Sequence, residues 1–283
     1  MNKIALAVKN LKVTFGKKKE PTLKGISYEV EQGQILGVVG ESGSGKSISS
    51  LAILDLLDKT AKVEAEQIQV DGIDFLALSR KEKRAHLGKT ISIIFQDALN
   101  ALDPTFTIGE QMIETLELHD PGKSNKEYRA RAIELLVQVG ITEPESRLTA
   151  YPHQLSGGQL QRIMIAMVIS SNPKVLIADE PTTALDVIIQ NQIVELLLEI
   201  QHKTKMTLIF ISHNLALISE IADKIIVMRR GEIVETGSVA DIFLNPQEDY
   251  TLALINSLPQ FARNLQPIRI NGKATLDEDK AHG

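Results

Sequence analysis

A glycine-rich segment near the N-terminus is the feature that most constrains how this chain can fold. Residues 40–47 read GESGSGKS and match G-x-x-x-x-G-K-[ST], a pattern whose backbone N–H groups surround phosphate oxygens. The matched residues are Gly40, Glu41, Ser42, Gly43, Ser44, Gly45, Lys46 and Ser47. An apolar run, 35–39, precedes this loop, and a helical pattern follows with Ile48, Leu51, Ile53, Leu54 and Leu57. The strand–loop–helix order predicts an α/β fold in which the helix directs its positive N-terminal end at an anion.

Two residues of the loop carry side-chain chemistry. The ammonium of Lys46 is expected to reach the β- and γ-phosphates of a nucleotide, and the hydroxyl of Ser47 is expected to ligate Mg²⁺. A chance glycine turn followed by a lysine is the alternative, but the flanking strand and helix patterns argue against it. The segment therefore predicts a site for a nucleotide with its magnesium ion.

An acidic pair follows a second apolar run. Residues 175–178 read VLIA, and Asp179 and Glu180 come next. The first carboxylate at such a strand end holds Mg²⁺ in phosphate-loop nucleoside triphosphatases, so Asp179 is a predicted metal ligand. A second carboxylate can polarise the attacking water, so Glu180 is the predicted general base. An ordinary acidic strand exit is the alternative, and the phosphate loop earlier in the chain favours the catalytic interpretation.

The remaining patterns predict one α/β domain with a helical insertion. Continuous apolar runs at 175–178 and 208–211 are typical of parallel strands buried on both faces, and 91–95 is another candidate for a buried strand. The first 30 residues alternate apolar and polar positions, which predicts antiparallel strands joined by a turn at 17–21. Residues 98–165 have a helical character, and Arg230 and Gly231 mark a hairpin. We expect the domain to span 4–260, with a polar C-terminal tail at 261–283.

Composition excludes several classes of site. The chain of 283 residues contains no cysteine, so disulfides, thiolate-bound zinc and cysteine-held iron–sulfur clusters are excluded. Its formal net charge of -5 gives no general attraction to nucleic acid, and no nucleic-acid partner is expected. Neither a signal peptide nor an apolar run of about 20 residues is evident, so we expect any membrane role to require another chain.

A pentapeptide in the helical region separates this chain from other phosphate-loop proteins. Residues 155–159 read LSGGQ, with Ser156, Gly157, Gly158 and Gln159 at its centre. This is the signature of ABC ATPases, and the chain resembles that family over about residues 4–260. Ser156 also suits a helix N-cap, and both interpretations can hold. The resemblance implies a P-loop NTPase fold of the ABC type, with the signature directed at the γ-phosphate of ATP on the opposite subunit of a head-to-tail dimer.

Other family elements occur in the family's order. Gln96 matches the glutamine loop, which contacts the magnesium shell or the attacking water; Asp186 matches the D-loop; and His213 matches the histidine switch. Phe15 matches the aromatic residue that stacks on adenine, with Tyr28 as its rival and a place in the core as the alternative. Taken singly, each could be structural, and the joint order of all the motifs favours the functional interpretation.

Several segments resemble the importer branch that handles oligopeptides, dipeptides and nickel. These are FQDALNALDP at 95–104, TIGEQ at 107–111, TALDV at 183–187 and YTLAL at 250–254. Ala98 and Asn214 depart from the branch, which more often has proline and aspartate there. The resemblance implies an ATP-hydrolysing subunit at the cytoplasmic face of a bacterial inner membrane. Its expected partners are two transmembrane permeases, a second ATP-binding subunit, identical or related, and indirectly an extracytoplasmic solute-binding protein.

Two other classes of protein remain as alternatives. A soluble ABC ATPase acting on DNA or the ribosome would carry a long coiled coil between Gln96 and Ser156, or two cassettes in one chain, and this chain has neither. A phosphate-loop kinase would lack the LSGGQ signature. The importer is therefore the favoured hypothesis.

Overall fold

The computed structural model describes residues 3–16, 20–96, 101–183 and 185–258. The expected tail at 261–283, Ala184 of the D-loop segment, and residues 97–100 of the branch segment lie outside the described residues, as does most of the expected turn at 17–21.

Strands and helices alternate along most of the chain. The strands are β1 (Ile4–Phe15), β2 (Leu23–Glu31), β3 (Ile35–Val39), β4 (Ala61–Glu64), β5 (Gln67–Val70), β6 (Ile73–Asp74), β7 (Ile91–Ile94), β8 (Val175–Asp179), β9 (Thr207–Ile211), β10 (Lys224–Arg229) and β11 (Glu232–Ser238). The helices are α1 (Lys46–Ile53), α2 (Arg80–His86), α3 (Ile108–His119), α4 (Asn125–Gln138), α5 (Pro144–Arg147), α6 (Gly157–Ile169), α7 (Val187–Thr204), α8 (Leu215–Ile221), α9 (Val239–Leu244) and α10 (Asp249–Asn256). None of the described helices combines the length and the apolarity that crossing a bilayer requires.

A largely parallel sheet forms the centre of the domain. Its six described strands lie in the order β11-β10-β3-β9-β8-β7, and each neighbouring pair is parallel except β10 with β11. Val38 on β3 and Asp179 on β8 both pair with Ile211 on β9. The carboxyl ends of β3, β8 and β9 therefore meet at one edge, where ligands bind in open α/β sheets.

The N-terminal strands form a second, antiparallel sheet. Its described strands follow the order β2-β1-β5-β6, and β4 also pairs with β1. The expected antiparallel component is thus a sheet of its own, and the central sheet has β11 as its antiparallel edge strand. The sequence patterns gave no sign of β4, β5 and β6, because these strands have only four, four and two residues.

Two apolar cores lie on opposite faces of the central sheet. Alternation along β8 directs Val175 and Ile177 to one core, and Leu176 and Ala178 to the other. The first core joins the antiparallel sheet and α1 to the central sheet, and the second joins that sheet to the helices that follow. The phosphate loop and the acidic strand end are consequently fixed between two packed layers.

Helices fill most of the region where the sequence predicts a helical insertion. Helices α3 to α6 occupy it, and Thr107 and Ser124 begin α3 and α4 with reciprocal capping boxes. Its last helix continues to Ile169, four residues past the expected boundary at 165. Two local expectations were wrong. Phe95 was expected in a buried strand, but it follows β7 and is 42% exposed. The helical pattern was expected to continue to Leu57, but α1 ends at Ile53 because Asp55 takes a left-handed φ of 56°.

Candidate active site

Three glycines shape the loop between β3 and α1. Gly40, Gly43 and Gly45 have φ values of 153°, 78° and 105°, in a region that side chains with a Cβ rarely adopt. A Cβ on Gly40 would lie 2.1 Å from the carbonyl oxygen of Met228. The loop can therefore turn tightly against β10 and present its N–H groups in front of α1.

The ammonium of Lys46 lies within the loop. Its Nζ donates hydrogen bonds to the carbonyl oxygens of Gly40, at 2.7 Å, and of Glu41, at 3.1 Å. Burial lowers the pKa of Lys46, while the nearby carboxylates of Glu180 and Asp179 act in the opposite direction. Among the described residues, the hydrogen-bond acceptors of this buried ammonium are loop carbonyl oxygens, so it is prepared to accept the stronger charge of a phosphate.

The hydroxyl of Ser47 and the carboxylate of Asp179 lie together. Ser47 Oγ donates a hydrogen bond to Asp179 Oδ1 at 3.0 Å, although the two residues are 132 positions apart. Burial raises the pKa of Asp179, and the hydrogen bond from Ser47 partly opposes this effect. One hydroxyl and one carboxylate oxygen in contact form the donor set that Mg²⁺ takes beside a nucleotide, so the residues fit that ion.

The carboxylate of Glu180 is the meeting point of the catalytic candidates. Its Oε2 accepts hydrogen bonds from Gln96 Nε2 at 3.2 Å and from Thr183 Oγ1 at 2.9 Å, and lies 3.4 Å from His213 Nδ1. Glu180 itself has a left-handed φ of 45°, as expected where a chain turns sharply out of a strand. Sequence reasoning placed three of these four residues at the site and missed Thr183, which it had noted only as the first residue of the TALDV segment at 183–187.

A cleft of about 500 Å³ joins these groups to the phosphate loop. Its lining residues are Ser42, Gly43, Gly45, Lys46, Ser47, Ile48, Gln96, Glu180 and His213. The cleft therefore contains a phosphate cradle, a lysine and a carboxylate in one space, the groups needed to bind a nucleotide and activate water.

The position of Phe15 favours it over Tyr28 as a contact for a base. Leu23 on β2 lies against the phosphate loop, since a Cβ on Gly45 would be 2.6 Å from Leu23 Cδ2. Val13 on β1 pairs with Leu23, so distances from the loop along β1 and β2 are counted from these two residues. Phe15 is two residues beyond Val13, about 7 Å along the strand, whereas Tyr28 is five residues beyond Leu23, about 16 Å away. Both side chains are half-buried against the same core, so it is the distance along the strands that favours Phe15.

The LSGGQ segment lies at the start of α6. Ser156 Oγ accepts a hydrogen bond from the Gln159 N–H at 3.3 Å, and Gln159 Oε1 accepts one from the Ser156 N–H at 3.1 Å. Gly158 contacts α7, since a Cβ there would lie 2.8 Å from Ile189 Cγ2, and Gly157 has Leu185 as its neighbour. Ser156 is exposed, and the described residues that line the cleft include none of this segment.

Asp186 is likewise separate from the cleft. It caps α7, where its Oδ1 accepts a hydrogen bond from the Ile189 N–H at 3.0 Å, and its side chain is exposed. The structure therefore brings together the loop, Gln96, Asp179, Glu180 and His213, whereas neither the signature nor Asp186 is among the described residues that line the cleft.

Comparison with known proteins identifies this arrangement. Residues 23–183 match the family model described as ABC transporter. The dipeptide transport ATP-binding protein DppD of Haemophilus influenzae is 55% identical over 259 residues, which cover 91% of this chain and 78% of that protein. DppD of Escherichia coli is 52% identical over 261 residues, with coverage of 92% and 80%.

A solved structure supports the same conclusion. The ATP-binding cassette MJ0796, in a dimeric post-hydrolysis state bound to ADP and phosphate, is 28% identical, with a TM-score of 0.73. The match covers 83% of this chain and 98% of that one. These names describe transport proteins, which confirms the main hypothesis over an ATPase acting on DNA or the ribosome. The chain therefore belongs to the ABC transporter family, as a nucleotide-binding subunit that hydrolyses ATP.

Proposed function

We propose that this chain powers the uptake of peptides through the bacterial inner membrane, bound as a peripheral subunit at its cytoplasmic face. The observation that carries the proposal is the cluster of Gln96, Thr183 and His213 around one oxygen of Glu180, beside the phosphate loop. The similarity to dipeptide transport proteins over nine-tenths of the chain supplies the class of cargo. Nickel, the other cargo expected from the sequence, has no support from these relatives.

The chain's own residues divide the chemistry of hydrolysis among them. Lys46 and the loop N–H groups bind the phosphates of ATP, and Phe15 stacks on its adenine. Glu180 accepts a proton from water as that water attacks the γ-phosphate; Gln96 and Thr183 donate to its Oε2, and His213 also lies beside that oxygen, so Oε1 is the atom that faces the water. His213 and Gln96, which both lie beside Glu180 Oε2 and line the cleft, orient the reacting groups.

Ser47 and Asp179 would hold Mg²⁺, with Gln96 at the edge of its shell. When bound, the ion neutralises charge on the β- and γ-phosphate oxygens. The raised pKa of Asp179 supports this assignment, because a nearby cation would favour the ionised carboxylate that burial now disfavours.

A second ATP-binding subunit completes the site. The exposed N-terminus of α6, with Ser156, Gly158 and Gln159, is directed at the γ-phosphate bound by the partner subunit, and Asp186 lies at the same interface. Two large apolar side chains beside it, Val187 and Ile188, are 72% and 71% exposed, which supports an interface there. An identical or a related partner would both satisfy this arrangement.

The substitution Ser156→Arg tests the paired arrangement. We expect ATP hydrolysis to be lost while ATP binding to the isolated chain stays near the wild-type value, since the loop and Lys46 are unchanged. A loss of ATP affinity as large as that of Lys46→Ala would show that the signature acts within one chain.

A groove between the core and the helical insertion is the proposed receptor for the permeases. It has a volume of about 810 Å³ and lies directly beyond Gln96. Its wall includes Leu56, Phe95 and Leu118, which are 42%, 42% and 75% exposed. Leu102 also lines the groove, although only 5% of this residue is exposed. Leu99, an apolar residue of the same segment after Gln96, lies outside the described residues. An apolar groove adjoining a residue that contacts Glu180 supports communication between the nucleotide and a permease helix.

Transport in membrane vesicles tests the function directly. The full chain, its permeases, its solute-binding protein and a labelled dipeptide would be assembled with ATP inside the vesicles, with Gln96→Ala in parallel. We expect dipeptide uptake that requires ATP, and a much larger loss of uptake than of basal hydrolysis in the variant. Hydrolysis without uptake of any dipeptide would refute the importer proposal, and equal losses in the variant would refute coupling through Gln96.

A further inference from the structure

The phosphate loop is held from outside by the C-terminal part of the chain. Tyr250 Oη, on α10, accepts a hydrogen bond from the Glu41 N–H at 3.0 Å. The Gly231 N–H, in the turn between β10 and β11, donates to the Ser44 carbonyl oxygen at 2.9 Å. Two hydrogen bonds thus connect the loop to residues far along the chain, neither of which is among the described residues that line the cleft.

Tyr250 is itself firmly placed. Its side chain is buried, and the guanidinium carbon of Arg229 lies 4.6 Å from the centroid of its ring. A cation over an aromatic face is attracted to it, so β10 fixes the ring from one side. The neighbouring residues Thr251 and Ile255 are 0% and 3% exposed, which anchors α10 in the core. The phenol oxygen therefore has a defined position against the loop.

Glu41 links this contact to the site. Its N–H donates to Tyr250, and its carbonyl oxygen accepts a hydrogen bond from Lys46 Nζ at 3.1 Å. A shift of the Glu41 backbone would move the carbonyl that holds the Lys46 ammonium. Tyr250 is in this way connected to the proposed phosphate-binding lysine through a single residue.

We propose that Tyr250 is a positioning residue for the phosphate loop, which makes α10 part of the nucleotide site. The proposal rests on the assignment of that loop to ATP. Without the hydroxyl, the loop segment around Glu41 samples other conformations. Nucleotide binding must then restore the ordered conformation, which costs free energy. Nucleotide binding weakens by about 3- to 10-fold, the range expected for one lost hydrogen bond. Turnover at saturating ATP changes little, because Glu180 and its donors are untouched.

The test compares Tyr250→Phe with a matched control, Tyr128→Phe, in the full chain. Tyr128 is also buried, and its hydroxyl donates to the Asp120 carbonyl oxygen at 2.9 Å and accepts from the Lys123 N–H at 3.2 Å. It belongs to the helical insertion, so the control loses an equivalent hydroxyl far from the loop. Affinity for AMP-PNP with Mg²⁺, the KM and kcat of ATP hydrolysis, and thermal stability are measured for each.

We expect Tyr250→Phe to raise the Kd for AMP-PNP and the KM for ATP together, with kcat within about twofold of wild type. Tyr128→Phe should lower only the melting temperature. The proposal is overturned if Tyr250→Phe binds AMP-PNP as wild type does, or if Tyr128→Phe weakens binding equally. The variant Lys46→Ala distinguishes a failure of the role proposed for Tyr250 from a failure of the assignment of the loop to ATP. Normal AMP-PNP binding by Lys46→Ala would refute the assignment of the loop.

Hydrogen exchange on the wild-type chain gives a second test that needs no variant. AMP-PNP should slow amide exchange in α10 as well as in the loop, because the ordered loop holds Tyr250 in return. Unchanged exchange across 249–256 on binding would contradict the proposal.

Discussion

Replacing Glu180 with glutamine should separate ATP binding from ATP hydrolysis. The amide oxygen of glutamine can still accept the hydrogen bonds that Gln96 and Thr183 now give to Oε2, at 3.2 Å and 2.9 Å. The side chain keeps its size, and the loop and Lys46 are unaffected. An amide cannot take a proton from water, so only the base is removed.

The expected loss follows from that single change. General-base catalysis contributes about 10²- to 10⁴-fold, so kcat should fall by this factor, which corresponds to about 3–5 kcal/mol of activation free energy. Affinity for ATP should stay within about threefold, since no contact to phosphate is removed.

Phosphate release at saturating ATP measures the first quantity, and equilibrium binding measures the second. Glu195→Gln, an exposed position on α7, makes the same chemical change away from the site and should behave as wild type. Activity of Glu180→Gln within about threefold of wild type, less than 1 kcal/mol, would refute the assignment of the base.

Three further substitutions test neighbouring parts of the site. Thr183→Val removes one donor from Glu180 Oε2, and we expect kcat to fall about 3- to 10-fold, with Thr183→Ser close to wild type by phosphate release. Gly40→Ala places a methyl group 2.1 Å from the Met228 carbonyl oxygen and should abolish AMP-PNP binding. Gly122→Ala is the control: Gly122 also has a positive φ, of 97°, but has open space around it, so this change should cost only about 1 kcal/mol of folding stability by denaturant titration. Asp179→Asn should raise the melting temperature of the nucleotide-free chain at neutral pH, because burial raises the pKa of Asp179 and its ionised form therefore opposes folding above the ordinary pKa of 3.8. This gain in melting temperature should shrink as the pH falls toward 3.8, and ATP hydrolysis should be lost. An unchanged melting temperature at neutral pH would contradict the reasoning.

The strands of the central sheet and the phosphate loop were predictable because their signals are local. Apolar runs such as 175–178 and 208–211 are buried on both faces of the sheet, as their composition indicates. The glycines of the loop must adopt positive φ, and Gly40 must also accept close approach by Met228. The meeting of Ser47 with Asp179 followed from the order of motifs on a parallel sheet.

Features that depend on contacts between distant segments were not predictable. Tyr250 contacts Glu41 across 209 positions, and nothing in the residues near either end indicates that hydrogen bond. The short strand β6 has two residues and owes its conformation to pairing with β5. The length of α1 was overestimated because Leu54 and Leu57 continue an apolar pattern that serves the adjoining turn.

The separation of the capped helix start at Ser156 from the cleft has a consequence for kinetics. In the proposed paired arrangement, the cleft of one chain meets the α6 N-terminus of another, so a complete reaction centre requires two molecules. Specific activity of the isolated chain should then rise with protein concentration and level off once association is complete. In dilute solution the rate should vary with the square of the concentration, and tethering two copies to permeases should remove that dependence by raising their effective local concentration.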